Sequence, residues 1–137
     1  MSRIKDKMDE IKDFLIELEN IQPNSFGEYK SNIEKKAACE RYIEKIVEAA
    51  TDLAFLIIKK DKLKIPEDDI DAFNILQDNK TIEQKLAKKL KNAKGMRNII
   101  AHQYGKIDDK IVFESITNEL QKDIKKFLKQ IKNDISN

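Results

Sequence analysis

The sequence has little of what breaks helices and little of what carries redox chemistry. Its 137 residues include three glycines, two prolines, one cysteine and no tryptophan. Because turn-forming residues are scarce while Lys, Glu, Ile and Leu are abundant, the composition favours long helices over strands. The single cysteine, Cys39, excludes an intramolecular disulfide. It falls on an apolar stripe, so we expect a core residue rather than a reactive thiol.

A strong charge of one sign is also absent. The 27 basic residues face 25 acidic ones, which leaves a net charge of +2. A protein that coats nucleic acid non-specifically would be more basic, so any RNA contact is expected to be local. No apolar stretch approaches the roughly 20 residues of a membrane span, and the charged N-terminus is unlike a signal peptide. We therefore expect a cytoplasmic protein, without a membrane partner, that forms a single domain over residues 1–137.

Apolar residues recur in steps of three and four along most of the chain, which predicts amphipathic helices. In the first helix they are Ile4, Met8, Ile11, Leu15 and Leu18. Breakers at residues 23–27 mark the first turn, and a second, long helix is predicted from about Glu28 to Lys60. The last predicted helix carries Val112, Ile116, Leu120, Phe127 and Ile131.

Two local patterns predict where the middle helices begin. Pro66 followed by three acidic residues is typical of a helix start, with Pro at the first position and acids at the positive end of the dipole. Thr81 with Gln84 three residues later resembles a capping box at the start of the fourth helix. The sequence therefore predicts an all-α antiparallel bundle of four main helices and one short one.

The fourth helix carries a charge in the middle of its apolar face. At about 100° per residue, the residues within about 60° of Arg97 are Ile82, Leu86, Leu90, Ala93, Ile100 and Tyr104. An arginine in such a stripe needs a compensating partner or a function. The only histidine, His102, falls about 140° away, beside Asn98. The arginine and the histidine share a site only if the helix ends or bends between them, or if a second copy contributes its own pair.

The simplest interpretation of these residues is structural. Arg97 would pair with Glu48 or Asp52 of the long helix, and His102 would be an ordinary histidine near the negative end of a helix dipole. Gly95 fits less well, because a glycine inside a helix costs on the order of 1 kcal/mol against alanine. Close approach of another backbone or of a phosphate on the side of His102 would explain it.

The same residues also form a longer motif. Arg97, His102 and Tyr104 fill the fixed positions of Arg-x-x-x-x-His-x-Tyr, and the polar Asn98 directly follows the arginine. This segment resembles HepT-type toxins of the HEPN superfamily. The resemblance covers most of the chain from Arg41 onward, and its further parts are Arg41-Tyr42 leading into Glu48 and Asp52, and Ile107-Asp108 after the tyrosine.

The resemblance implies a HEPN-like bundle of four to five helices that forms a homodimer, with arginine and histidine pairs facing each other in a cleft. It implies the toxin of a toxin–antitoxin pair, a metal-independent endoribonuclease without a cofactor. Its partner would be a cognate minimal nucleotidyltransferase antitoxin, which itself uses ATP and Mg²⁺ and inhibits the toxin by adenylylating Tyr104. The implied catalytic residues are Arg97, Asn98 and His102, with Glu48, Asp52 and Gly95 in support.

These residue types suit RNA cleavage by the substrate's own 2′-OH. The imidazole of His102 can accept or donate a proton, while the guanidinium of Arg97 can bind a phosphate through two parallel N–H donors. Asn98 would position His102. No His/Cys/Asp cluster at metal-ligand spacing supports a metal mechanism. Two alternatives remain open: a non-catalytic nucleotide- or substrate-binding partner subunit of a nucleotidyltransferase, and a purely structural helical dimer.

Overall fold

The chain folds into helices joined by short turns. A computed structural model describes residues 2–102 and 108–136, and every regular element within them is helical. The elements are α1 (Ser2–Ile21), α2 (Phe26–Ser31), α3 (Ile33–Lys60), α4 (Asp69–Asp78), α5 (Gln84–His102), α6 (Asp109–Glu114), a π-helical turn (Ser115–Glu119) and α7 (Leu120–Ser136). The predicted all-α class is confirmed, with α1, α3, α5 and α7 as the main helices and α4 as a short one.

The long helices surround one apolar interior. Lys7, near the start of α1, lies 3.6 Å from Asp52 in α3. Tyr42, earlier in α3, donates a hydrogen bond to Glu17 near the end of α1 at 3.0 Å, so the two helices run antiparallel. α4 packs against α3 and α5, and α7 packs against α5. Within the described residues, no helix combines the length and the apolar character that crossing a membrane requires.

The predicted second helix is broken near its start. Asn32 has an extended backbone (φ −96°, ψ 96°), and it separates α2 from α3. Its side chain accepts the N–H of Lys35 at 3.0 Å and so caps α3. An asparagine side chain can accept the free N–H groups at a helix start. Inside a helix the same side chain competes with the helical hydrogen bonds, so asparagine favours a cap over a helix interior. The prediction of one helix from Glu28 to Lys60 was therefore wrong at Asn32, where the chain breaks into two helices. It was correct from Ile33 onward.

The third predicted helix begins later than its proline. α4 starts at Asp69, and Asp68 is its N-cap, whose carboxylate accepts the N–H of Asp71 at 2.8 Å. Pro66 lies outside the helix and is not its first residue. The acidic residues keep the role expected of them, because they satisfy the free N–H groups and face the positive end of the helix dipole.

The capping box predicted at Thr81 does not form. The Thr81 hydroxyl instead accepts a hydrogen bond from the Asn79 amide at 3.0 Å, and the threonine is buried in the turn before α5. α5 begins at Gln84, and the N–H of the preceding Glu83 donates to the Gln130 side chain of α7 at 3.0 Å. A side chain from another helix therefore replaces the local cap, which a local sequence pattern does not reveal.

The last predicted helix contains a π-helical turn. The buried residues in this turn and on either side of it are spaced by four: Val112, Ile116, Leu120 and Ile124. In an α-helix this spacing would rotate the apolar face by about 40° at each step and turn it away from the core. The wider turn at Ser115–Glu119 takes up the excess, so that α6 and α7 bury the same side of one continuous helix.

Cys39 is a core residue, as predicted. It lies in α3 with no exposed surface. Burial raises the pKa of the Cys39 thiol to about 11, because the thiolate would be removed from water. The side chain therefore acts as a small apolar residue of the bundle.

Candidate active site

The site is organised by α5, which carries Arg97 within an apolar face. On this face Leu86, Leu90 and Ile100 are buried. The Arg97 side chain among them is only 22% exposed. The helix continues through His102, so it does not end between the arginine and the histidine, which was one of the ways in which they could share a site. The two side chains leave the helix about 140° apart.

Arg97 has protein partners on its terminal nitrogens. One nitrogen lies 2.9 Å from a carboxylate oxygen of Glu48, and the other donates to the Asn98 amide oxygen at 3.2 Å. Its Nε is buried without a hydrogen-bond partner among the described residues. The expected ion pair thus involves Glu48. Asp52, the alternative, lies 3.6 Å from Lys7 of α1 instead.

The bond between Asn98 and Arg97 gives the asparagine a role that the sequence did not suggest. Asn98 was expected to position His102, its neighbour one turn later. Its amide oxygen accepts a hydrogen bond from the guanidinium at 3.2 Å, and its role toward His102 stays a prediction. The ion pair with Glu48 and the hydrogen bond with Asn98 hold the two terminal nitrogens of the guanidinium in place. Each of these nitrogens has a further N–H that can donate to a ligand.

The sequence analysis missed Lys94. This lysine is 3% exposed, and its amino group lies 3.0 Å from a carboxylate oxygen of Asp69 and 3.8 Å from one of Glu48. Lys94 lies about 60° from Arg97 around the helix axis, at the border of the same apolar stripe. The sequence did show a second charged residue at the border of that stripe. Its role could not be predicted, because its partner Asp69 belongs to another helix.

A small groove of about 180 Å³ opens beside Arg97, between α1, α3 and α5. It is lined by Glu10, Phe14, Arg41, Glu44, Lys45, Glu48, Ala49, Asp52 and Arg97. Four of these nine side chains are carboxylates, and Arg41 is itself paired with Glu44 at 3.0 Å. The charged side chains that line this groove therefore nearly balance one another.

The side of α5 that carries His102 borders a different, larger groove. Gly95, Ile99 and His102 lie within about 60° of one another around the helix axis. Gly95 and Ile99 line a groove of about 780 Å³ between α5 and the α6–α7 helix. Ile99 and Ile111 in this groove are 40% and 59% exposed. His102 itself is exposed.

Gly95 is not required by any neighbour that the structure describes. A Cβ added there would meet no atom within 4 Å. The expected close approach of a backbone or a phosphate is therefore not made by the described part of this chain. The motif residue Tyr104, and Ile107 after it, lie outside the described residues. Across residues 2–102 and 108–136, no group of three His, Cys, Asp or Glu side chains is placed to hold a metal ion.

Comparisons with known proteins place most of the chain in one group. The profile of the family described as "Ribonuclease HepT-like" matches residues 4–131. The chain is 30% identical to the tRNA nuclease HepT of Aphanizomenon flos-aquae over 118 residues, which cover 86% of this chain and 80% of that one. It is 33% identical to the mRNA nuclease HepT of Shewanella oneidensis over 90 residues, which cover 66% and 67%.

A solved structure has the same arrangement of helices. It is the tri-AMPylated HEPN toxin of Shewanella oneidensis in complex with an MNT antitoxin. The two structures superpose with a TM-score of 0.89 at 26% sequence identity, over 95% of this chain and 96% of that one. The fold and the sequence therefore lead to the same group of proteins.

Proposed function

The chain belongs to the HepT-like ribonuclease family, and from this we propose that it is the toxin of a toxin–antitoxin pair, an endoribonuclease that cuts RNA without a metal ion. The observation that carries the proposal is Arg97, a cation in the apolar face of α5. Glu48 and Asn98 hold it in place on the helix that also bears His102. A merely structural ion pair would not explain why the only histidine of the chain follows at the motif spacing.

The proposed reaction uses the nucleophile that RNA itself carries. His102 accepts the proton of the 2′-OH, and the 2′-oxygen forms a bond to the adjacent phosphorus. The bond from phosphorus to the 5′-oxygen breaks, and that oxygen takes a proton from a histidine acting as acid. Arg97 stabilises the charge that develops on the phosphorane oxygens. The products are a 2′,3′-cyclic phosphate and a free 5′-OH.

We propose that the working form is a twofold homodimer, because one protomer directs Arg97 and His102 to different sides of α5. A twofold axis close to the C-terminal end of α5 would let the two protomers contribute their copies of Arg97 and His102 to one cleft. The exposed Ile99 and Ile111 near this end of the helix support such an interface. Sedimentation at micromolar concentration should give about twice the protomer mass of 16.0 kDa. A monomer under these conditions would contradict the proposal.

The activity is tested by incubating the purified protein with single-stranded RNA in excess EDTA. We expect cleavage to persist and the fragments to end in a 2′,3′-cyclic phosphate. Arg97→Lys, prepared identically, should lose most activity, because a point charge lacks the bidentate fork that holds Glu48 and a phosphate together. Activity that requires Mg²⁺, or equal activity in the Arg97→Lys preparation, would refute the mechanism. The variant also reveals any contaminating nuclease.

We further propose that a minimal nucleotidyltransferase antitoxin, using ATP and Mg²⁺, controls this protein by adenylylating Tyr104. The motif position of Tyr104 supports this, as does the likeness to an AMPylated toxin in complex with its antitoxin. An adenylate adds a phosphate and a nucleoside close to Arg97 in the sequence. The added anion would compete for the guanidinium and repel an RNA backbone.

A further inference from the structure

Lys94 is a buried cation that the proposed reaction does not use. It is 3% exposed, although a lysine is among the residues least often fully buried. Removing its ammonium group from water is costly unless carboxylates compensate for it. Two do so, from two other helices: Asp69 in the first turn of α4 and Glu48 in the middle of α3.

The compensation of Lys94 is linked to Arg97 through one atom. The same Glu48 oxygen, Oε2, lies 3.8 Å from the Lys94 amino group and 2.9 Å from the Arg97 guanidinium. Asp69, Lys94, Glu48 and Arg97 thus form a row of alternating charges with no net charge. In such a row the strength of each contact depends on the next one along.

We infer that Lys94 is a positioning residue for RNA cleavage, which acts by sharing Glu48 and so limiting how strongly that carboxylate holds Arg97. The inference rests on the proposed nuclease function. With Lys94 in place, Glu48 orients the guanidinium and is partly neutralised by the lysine. Without it, Arg97 is the remaining ion-pair partner of Glu48 among the described residues, and the arginine has less positive potential to offer a phosphate.

The row of charges predicts opposite effects on RNA cleavage for substitutions at Lys94 and at Asp69. Lys94→Met keeps the length of the side chain and removes the charge, so kcat/KM for RNA should fall roughly tenfold, the scale of one weakened charge-assisted hydrogen bond. Asp69→Asn leaves Lys94 with Glu48 alone, which draws the carboxylate away from Arg97. Asp69→Asn should therefore raise kcat/KM, by roughly twofold to threefold. A purely structural role predicts a loss for both variants.

The chain offers a matched control for each variant. Lys91 also lies on α5 and also reaches α4, where it donates to the Asn74 side chain at 2.8 Å without contacting Glu48. Lys91→Met removes the same charge from a half-buried position whose partner is a neutral amide, so it should leave kcat/KM within about twofold of the wild type. Asp71→Asn makes the same charge change on α4 as Asp69→Asn. Comparing the two variants separates the effect of the contact with Lys94 from the effect of net charge on RNA binding.

The experiment measures kcat, KM and the midpoint of urea unfolding for these four variants, for Glu48→Gln, and for Lys94→Met combined with Glu48→Gln. If Lys94 acts through Glu48, Lys94→Met should have almost no further effect on kcat/KM in the Glu48→Gln background. Additive losses would overturn the inference. So would equal losses in Lys94→Met and Lys91→Met, or a loss in Asp69→Asn.

Failure of the proposed function gives a separate result. If the wild type does not cleave RNA, the nuclease proposal fails whatever the variants do. If the wild type cleaves RNA and Lys94→Met cleaves it equally well, only the inference about Lys94 fails. Should Lys94→Met not fold, Asp69→Asn still tests the idea, because Asp69 is half-exposed at the surface and its predicted effect has the opposite sign.

Discussion

Replacing His102 by alanine is expected to reduce RNA cleavage by roughly 10²-fold or more, the usual contribution of a general acid–base group. An imidazole accepts a proton in its neutral form and donates one in its charged form, so the same residue type can supply both the base and the acid. In a twofold cleft both copies of His102 are lost together, which removes the base for the 2′-OH and the acid for the leaving 5′-oxygen. The loss should appear in kcat, because the proton transfers belong to the chemical step.

The stability of the fold should be almost unaffected by this change. His102 is exposed at the end of α5, and surface substitutions usually alter stability by less than about 0.5 kcal/mol. Asn92→Ala, an exposed change on the same helix, provides the comparison. Cleavage in His102→Ala close to the wild-type rate, with the fold intact by circular dichroism, would remove the histidine from the mechanism.

Replacing Tyr104 by phenylalanine is expected to leave the nuclease active and to abolish its control by the antitoxin. A phenol with a pKa near 10 is a poor base at neutral pH, so the hydroxyl is not needed for cleavage. It is the group that would accept adenylate. Wild-type protein incubated with the nucleotidyltransferase, ATP and Mg²⁺ should gain mass in steps of AMP and lose activity. Tyr104→Phe should gain no mass and keep its activity.

The other two tyrosines supply the controls. Tyr29 is fully buried and packs against Phe113, and its side chain is not available to a second protein. Tyr42 is partly exposed and donates to Glu17 at 3.0 Å. Tyr42→Phe should therefore be modified and inhibited like the wild type. An adduct on Tyr29 or Tyr42, or none at all, would contradict the assignment of Tyr104.

The long helices were predictable from sequence because their apolar spacing reflects one shared interior. The residues predicted for the buried face of the first helix, from Ile4 to Leu18, are all buried in α1. The ends of the helices were less predictable, since each depends on a choice between competing hydrogen bonds. Asn32 caps α3 instead of continuing a helix, and Gln130 of α7 replaces the cap expected from Thr81. A local sequence pattern does not reveal a capping partner that comes from a distant helix, such as Gln130.

In the candidate site too, the position of a residue on its own helix was predictable, whereas its partners on other helices were not. The position of Arg97 in the apolar stripe followed from the 3.6-residue period of one helix. The choice between Glu48 and Asp52 did not, because the two carboxylates lie about one turn apart on α3 and both were reasonable partners. The packing of α1 against α3 determines which carboxylate pairs with Arg97, because Lys7 of α1 lies next to Asp52. The role of Lys94 was hidden because its nearer carboxylate, Asp69, belongs to α4.

The row of charges through Glu48 has a consequence for how the protein is made. Synthesis proceeds from the N-terminus, so the carboxylates of α3 and α4 leave the ribosome before the cations of α5. Until then Glu48 and Asp69 are hydrated at little cost. Lys94, which is 3% exposed in the folded chain, is synthesised only when both of its carboxylate partners already exist. A nascent chain therefore has no assembled cleft, and a ribonuclease that threatens its own cell would become active only after its synthesis has passed α5.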